Sequence, residues 1–549
     1  MNHKIFFISL AALLFAGAGC LPAPRDGTGM MGTQQGTGSD AMREHCKMMP
    51  NMAGCEKYAD QPETPLAAVD RGIVGLNDAK QQTDVTLQNG ASYALDASFV
   101  KKTINGKTIR MLAYNDQIPG PILRVKQGDA VKVNFTNKLD EPTTIHWHGL
   151  RLDNANDGVP DVTQPPVNPG KSFAYNLNFP DAGLYWYHPH IREDYQQELG
   201  MYGLMWVEPS DPKTFAQVNQ TAFLTLDDIL LSGNDVAPFN EERINHTLMG
   251  RFGNTMLVNG STDYNLTAKK GDIVRFAMVD TANTRVFRVG IPGAKMKLVG
   301  GDSGGYSHDQ WVDSVILAPS ERAIVDVQFS KSGTYKIRHL GPEIQYDLGT
   351  VTVLDASTDQ DHSSAFKTLQ NRSDQFADLA SYDNKPIDKE IELTIDMPGM
   401  MGNMEMNGMM MDEGADEGGI EWEDSMAMMN QQSNDKALSW VIKDKATGRE
   451  NDDIDYSFKQ GDKVKIRILN DENSMHPMQH PIHFHGNRFV VLSVNGIKNT
   501  NPVWKDTVLV PIGAKVDILL DVTNPGAWMA HCHISEHLQD GMMFTYKVE

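Results

Sequence analysis

Residues 531–543 read HCHISEHLQDGMM, with Cys532 between His531 and His533, a third histidine at 537 and paired methionines, Met542 and Met543. A structural cysteine is satisfied by a disulfide partner or an apolar pocket, and flanking imidazoles supply neither. Thiolate, imidazole and thioether together make the ligand set of a blue-copper electron-transfer centre, in which a methionine forms a long axial bond. Further histidines come as four His-x-His pairs: His146/His148 in TIHWHG, His188/His190 in GLYWYHPH, His483/His485 in PIHFHG and His531/His533 in GAWMAHCH. Residues i and i+2 of a strand point to one face, so each pair presents two imidazoles in one direction.

The elements that carry these pairs are repeated. QGDAVKVNFTN from Gln127, KGDIVRFAMVD from Lys270 and QGDKVKIRILN from Gln460 each follow a Gly-Asp start with alternating apolar residues, the signature of a half-buried strand. Downstream, TIHWHG and PIHFHG correspond to RVFRVG, where Phe287 and Val289 replace the histidines. GLYWYHPH and GAWMAHCH correspond to GTYKIRHL, where Arg338 and Leu340 replace them. A lone His-x-His pair is usually incidental. Four pairs at equivalent places in two copies, replaced in the third, predict that the first and third units face each other with eight histidines converging between them. The middle unit is then a spacer.

A chain of 549 residues accommodates about three domains. Its formal charge of -22 argues against nucleic acid as a partner, since phosphate binding needs basic patches, and suits the attraction of cations. MNHKIFFISLAALLFAGAGC has a lysine and then an apolar run from Ile5 to Ala18, too short for a mature membrane span and typical of an export signal. The small residues before Cys20 look like a bacterial lipoprotein cleavage site, although Gly17 stands where leucine is more usual; ordinary signal cleavage is the alternative. The protein is therefore expected outside the cytoplasm, periplasmic or in the cell envelope, with attachment to the membrane through a lipid on Cys20. In that oxidising setting Cys46 and Cys55 form either a disulfide or, in HCKMMPNMAGC, a soft-metal site.

HWHG, WYHPH, HPIHFHG and HCHISEHLQDGM together resemble the multicopper oxidases, over the chain from about residue 100 onward apart from one long insert. The resemblance implies an all-β fold of three consecutive cupredoxin-like Greek-key β-sandwich domains, in keeping with the short alternating strands and frequent Gly and Pro turns. The boundaries read as a signal segment at 1–20, a Met/Gly-rich linker at 21–75, cupredoxin domains at 76–210, 211–356 and 437–549, and a linker with the insert at 357–436. Four copper ions are implied. Type 1 copper takes His480, Cys532 and His537 with Met542 axial, and type 2 takes His146 and His483. The type 3 pair takes His148, His188 and His533 on one ion and His190, His485 and His531 on the other. His476, which also precedes a proline, is read as supporting or surface, because the interval to His483 favours His480.

The chemistry implied is the one-electron oxidation of a reductant and the four-electron reduction of dioxygen to water. The exposed edge of an imidazole such as His480 is the natural place for a reductant to deliver its electron, and the neighbours of Cys532 give a short covalent route onward. Asp157 aligns with the family's acid beside the type 2 copper and is the proton-donor candidate; the plain alternative is a turn aspartate before Gly158. Leu538 stands where many bacterial relatives carry a second acid, and Glu536 is the neighbouring carboxyl that could replace it. A thioether from Met542 implies a lower potential than the leucine or phenylalanine of many fungal laccases, which favours easily oxidised donors.

The Gly-Asp starts at Gly271 and Gly461 lie farther apart than those at Gly128 and Gly271. The surplus contains DMPGMMGNMEMNGMMMDEG and SMAMMN, methionines set among Gly, Asn and acids with no packed core in prospect. This stretch is either a linker or a thioether site for additional Cu(I), and it resembles the Met-rich segment of bacterial cuprous oxidases. Cu(I), with a role in copper tolerance, is the expected donor. Small phenols or aromatic amines, as in a laccase-like enzyme, are the alternative, and a non-catalytic copper-buffering surface protein is a third.

Overall fold

The computed structural model describes residues 72–239, 243–397, 418–424 and 438–549. The export segment with Cys20, the Cys46/Cys55 stretch and most of the methionine-rich insert lie outside the described residues. Among the described residues no helix is long and apolar enough to cross a membrane.

Each Gly-Asp start is a turn that launches a strand. Gly128, Gly271 and Gly461 have φ of 92°, 95° and 96°, open to glycine at no steric cost. The aspartate that follows accepts a hydrogen bond from the amide three residues before it: Lys126 to Asp129 at 3.1 Å, Lys269 to Asp272 at 2.7 Å, Lys459 to Asp462 at 2.9 Å. The strands that follow are Ala130–Asn137, Ile273–Asp280 and Lys463–Asn470.

Three modules follow one plan, two sheets face to face, as in a cupredoxin-like sandwich. In the first, a four-stranded sheet centred on Ser92–Ile104 and Ala130–Asn137 faces a five-stranded sheet ending in Gly183–His188 and His146–His148. In the third, a six-stranded sheet centred on Lys463–Asn470 and Lys515–Asp521 faces one containing Met543–Val548, Gly526–Cys532 and His480–Phe484. Register brings the motifs side by side, with His146 opposite His188 and His483 opposite His531. Cross-strand partners share a face, so these rings point the same way.

The middle module departs from the expected equivalence. Val289 lies opposite His339 and Gly290 opposite Arg338, a slip of three residues relative to the outer copies. An odd slip exchanges faces. Phe287, Val289 and His339 are therefore buried, while Arg338 and Leu340 are only partly covered. Its Ile273–Asp280 strand, expected to be half-buried, is buried at every residue. Val274, Phe276 and Met278 fill the module's own core, and Ala277 and Val279 pack with Leu184, Trp186 and Trp206 of the first module.

Candidate metal centre

The Gly526–Cys532 strand delivers Cys532 to a turn, after which the short helix Ser535–Gln539 returns His537 to the thiol. Cys532 Sγ lies 3.5 Å from His480 Nδ1 and 3.7 Å from His537 Nδ1, and the two nitrogens are 3.3 Å apart. The Cys532 amide donates to the Met542 carbonyl at 3.1 Å, which fixes Met542, fully buried, beside the thiol strand. Trp440 stacks on His537 with ring centroids 4.2 Å apart and meets the His480 ring edge-on at 4.8 Å.

The ring of His480 is not exposed, contrary to expectation. Trp440 lies against it, and segment 418–424 is tied to its chain neighbour. The Glu421 amide donates to Gln479 Oε1 at 2.8 Å, and Gln479 Nε2 donates to the Glu421 carbonyl at 3.1 Å. Ile420 and Trp422 of that segment are buried with Val286 and Ala318 of the middle module.

The eight paired histidines converge between the first and third modules. His148, His188 and His533 form one group whose ligand atoms lie within 4.8 Å of one another, and His190, His485 and His531 form a second. His146 and His483 join His148 in a third, and His146, His485 and Asp157 make a fourth. Most rings are oriented through the nitrogen that faces away. With Nδ1 as donor, His146 reaches the Asp157 carbonyl at 2.8 Å, His188 the Pro189 carbonyl at 2.8 Å, His483 the Asp506 carbonyl at 2.9 Å and His531 the Cys532 carbonyl at 2.8 Å. His485 Nδ1 donates to Asp157 Oδ2 at 2.9 Å.

The opposite nitrogens test whether a metal fits. Nε2 of His146, His188, His190 and His483 is buried with no hydrogen-bond partner in the chain, and Nε2 of His485 and of His531 face each other at 3.0 Å. Buried imidazole nitrogens left unpaired and aimed at one another are costly unless a cation takes their lone pairs. Burial, reinforced by the neighbouring rings, holds His188, His190, His483 and His485 well below the usual imidazole range; burial pushes His531 down to about 4 and, with His476 adding to it, His480 to about 3. The neutral, ligating form is thus the resting one. Thiolate and imidazole at the first site and clustered imidazoles at the second suit copper.

The same burial predicts a pH response of the metal-free protein. An unfolded histidine titrates near 6.5, so between that value and its folded value the unfolded chain binds a proton that the folded chain refuses. Stability present above about pH 6.5 is therefore lost as pH falls towards about 4, on the order of 3 kcal/mol for a ring shifted as His531 is. Chemical denaturation of copper-free protein at about pH 7.5 and about pH 5 is expected to show a clear drop in midpoint; equal midpoints would contradict neutral burial.

Asp157 ends the short turn Asn154–Asn156, as the turn reading has it, and is at the same time fully buried in one group with His146 and His485. Glu536 joins none of the histidine groups. It sits on the helix that packs against Glu193–Gln196, where burial and then Asp194 push its pKa up to about 8. Two acids were not anticipated. Glu193 Oε1 lies 3.3 Å from His190 Nδ1, and burial and then Asp194 raise its pKa well above the usual carboxyl range. Asp506 Oδ1 lies 3.0 Å from His148 Nε2. The spacing of Glu193, three residues after His190, was the available signal for the first; Asp506, in VWKDT, carried none. Nor is the middle module only a spacer, because its Arg322 pairs with Asp506.

Known proteins show the same organisation. Multicopper oxidase family profiles match residues 97–212, 215–354 and 421–549. Multicopper oxidase mco of Staphylococcus aureus is 27% identical over 468 residues, covering 83% of this chain and 88% of its own. Multicopper oxidase MmcO of Mycobacterium tuberculosis is 25% identical over 507 residues, 87% and 91% of the two chains. Among solved structures, the multi-copper oxidase of Pseudomonas thermotolerans matches with a TM-score of 0.64 at 26% identity, over 85% of this chain and 100% of that one. The profile matches take in both histidine-bearing modules and the histidine-poor one between them, so the chain belongs to the multicopper oxidases, with the copper cofactors and oxidase activity which that family implies.

Proposed function

We propose that the protein is an exported cuprous oxidase that serves copper tolerance. Four Cu(I) ions give up one electron each, and one dioxygen with four protons becomes two waters. Copper at these sites supplies one-electron acceptance at the thiolate and a place for dioxygen among the imidazoles. In this reading Cys532, His480 and His537, together with Met542, would hold the electron-accepting ion. His146 and His483 would hold the second, His148, His188 and His533 the third, and His190, His485 and His531 the fourth. Asp157 moves a proton beside His146 and His485. Export through residues 1–20, with a lipid on Cys20, completes the reading.

The burial of His480 carries the choice of donor. A phenol or aromatic amine needs an open ring edge to approach, whereas a bare cation needs only soft ligands nearby. Segment 418–424, bonded to Gln479, lies between the two methionine runs and supports their service as those ligands. Removing the whole stretch would also take Ile420 and Trp422 out of a packed cluster, so the informative variant is narrower. Serine in place of the methionines at 400–411 and 426–429, with 418–424 untouched, is expected to lower kcat/KM for Cu(I) by about tenfold or more and leave a phenolic dye unaffected or faster. Unchanged Cu(I) kinetics would favour an organic donor.

A further inference from the structure

Among the eight paired imidazoles His148 is turned the other way round. Its Nδ1 is the buried nitrogen without a hydrogen-bond partner in the chain, and Nε2 is the one held. Which nitrogen of a histidine is free to ligate is set by the partner of the other. Four sister rings use a backbone carbonyl for this purpose. His148 instead meets a side-chain carboxylate, Asp506 Oδ1 at 3.0 Å, and the Thr507 hydroxyl at 3.0 Å. Thr507 Oγ1 in turn donates to Asp506 Oδ1 at 3.1 Å.

Asp506 is itself fixed by the middle module. Arg322 Nη1 donates to Asp506 Oδ1 at 2.6 Å and Nη2 to Oδ2, a two-toothed pair with both residues buried. The rest of the guanidinium is spoken for: Nε donates to the Leu184 carbonyl at 2.9 Å and Nη1 also to the Ser320 carbonyl at 2.9 Å. Leu184 lies on the strand that ends in His188, so one guanidinium joins all three modules beside the group of His148, His188 and His533. Gly149, of the HWHG motif, has φ of 85°, and a Cβ there would stand 2.4 Å from Asp506 Oδ2 and 2.8 Å from Arg322 Nη2. The glycine leaves room for the pair directly against the ligand strand.

We propose that Asp506 is the positioning residue that selects Nδ1 of His148 for metal, and that Arg322 is the fixed counter-charge that holds Asp506 in place. The middle module, bare of ligands, thereby sets the geometry of one half of the histidine cluster. This inference rests on the copper reading of that cluster. It is tested first without copper: in metal-free protein labelled with 15N-histidine, the His148 ring is expected to carry its proton on Nε2, and in Asp506→Ala to shift it substantially to Nδ1. The copper-loaded protein gives the second measurement. Asp506→Ala is expected to lose about 10–100-fold in affinity for one copper ion, together with the near-ultraviolet absorption of the coupled pair, while the blue thiolate absorption of Cys532 persists. A merely structural role would lower both absorptions together. Arg322→Lys, which leaves Asp506 in place and keeps the charge but not the fork, is expected to give the same change in weaker form and covers the case in which Asp506→Ala does not fold. An unchanged His148 tautomer in either folded variant overturns the proposal. Wild-type protein that shows the Nε2 proton but takes up no copper overturns the copper reading and leaves the positioning of His148 by Asp506 standing.

Discussion

Cys532→Ser is expected to yield a folded, colourless protein whose oxygen uptake with any reductant falls by about 10³-fold or more, at least ~4 kcal/mol of barrier. The substitution is nearly isosteric at a fully buried position, and the surroundings make no other demand on the sulfur than a long contact from the Ile534 amide at 3.5 Å. What disappears is the soft donor between His480 and His537. A serine hydroxyl stays protonated and hard, and does not replace a thiolate in a copper site. The residue is also the covalent bridge between two groups, because His531 and His533 on either side of it belong to the two histidine triads. A visible spectrum and an oxygen electrode decide the matter; oxygen uptake surviving in the variant would mean that reductants reach the histidine cluster by another path.

Asp157→Asn is expected to slow oxygen reduction by about 10²-fold or more while leaving the acceptance of the first electron intact. The carboxamide can still accept from His485 Nδ1, and the residue's carbonyl can still accept from His146 Nδ1, so the rings keep their places. It cannot give or take a proton. Asp157 is the carboxylate found in a ligand group with the imidazoles among the described residues, and the residue directly after His537 is Leu538, which has no proton to give. The test is the return of blue colour after reduced protein meets oxygen, compared with its bleaching by the donor. Recovery as fast as in wild type would pass the proton-supplying role to Glu193 or Glu536.

The sequence made the histidine geometry legible because strand periodicity translates spacing into direction: i and i+2 fix a face, and a repeat fixes which strands are neighbours. The turn before each repeated strand was legible for a similar reason, since Gly and Asp act on their own backbone. Features made by contact between modules were not. The full burial of Ile273–Asp280 depends on Trp186 and Trp206 of another module, and the burial of His480 on a strand and a segment distant in the chain. The three-residue slip at Val289 and His339 is a matter of pairing, which local pattern leaves open once the histidines that would betray it are gone. Asp506 was silent because a lone aspartate in a connecting segment looks like any turn residue until Arg322 and His148 are seen on either side.

The hydrogen bond between His148 and Asp506 joins residues 358 positions apart, and the cluster also needs His531 and His533 from the last-made strands. Contacts of such long range form late in folding. A chain released early, or clipped before its final hairpin of Gly526–Cys532 and Met543–Val548, therefore keeps two histidines of each triad, lacks the third, and has no thiolate site. Assembly itself acts as a safety interlock: the thiolate site and both histidine triads are complete only once the last strands are in place.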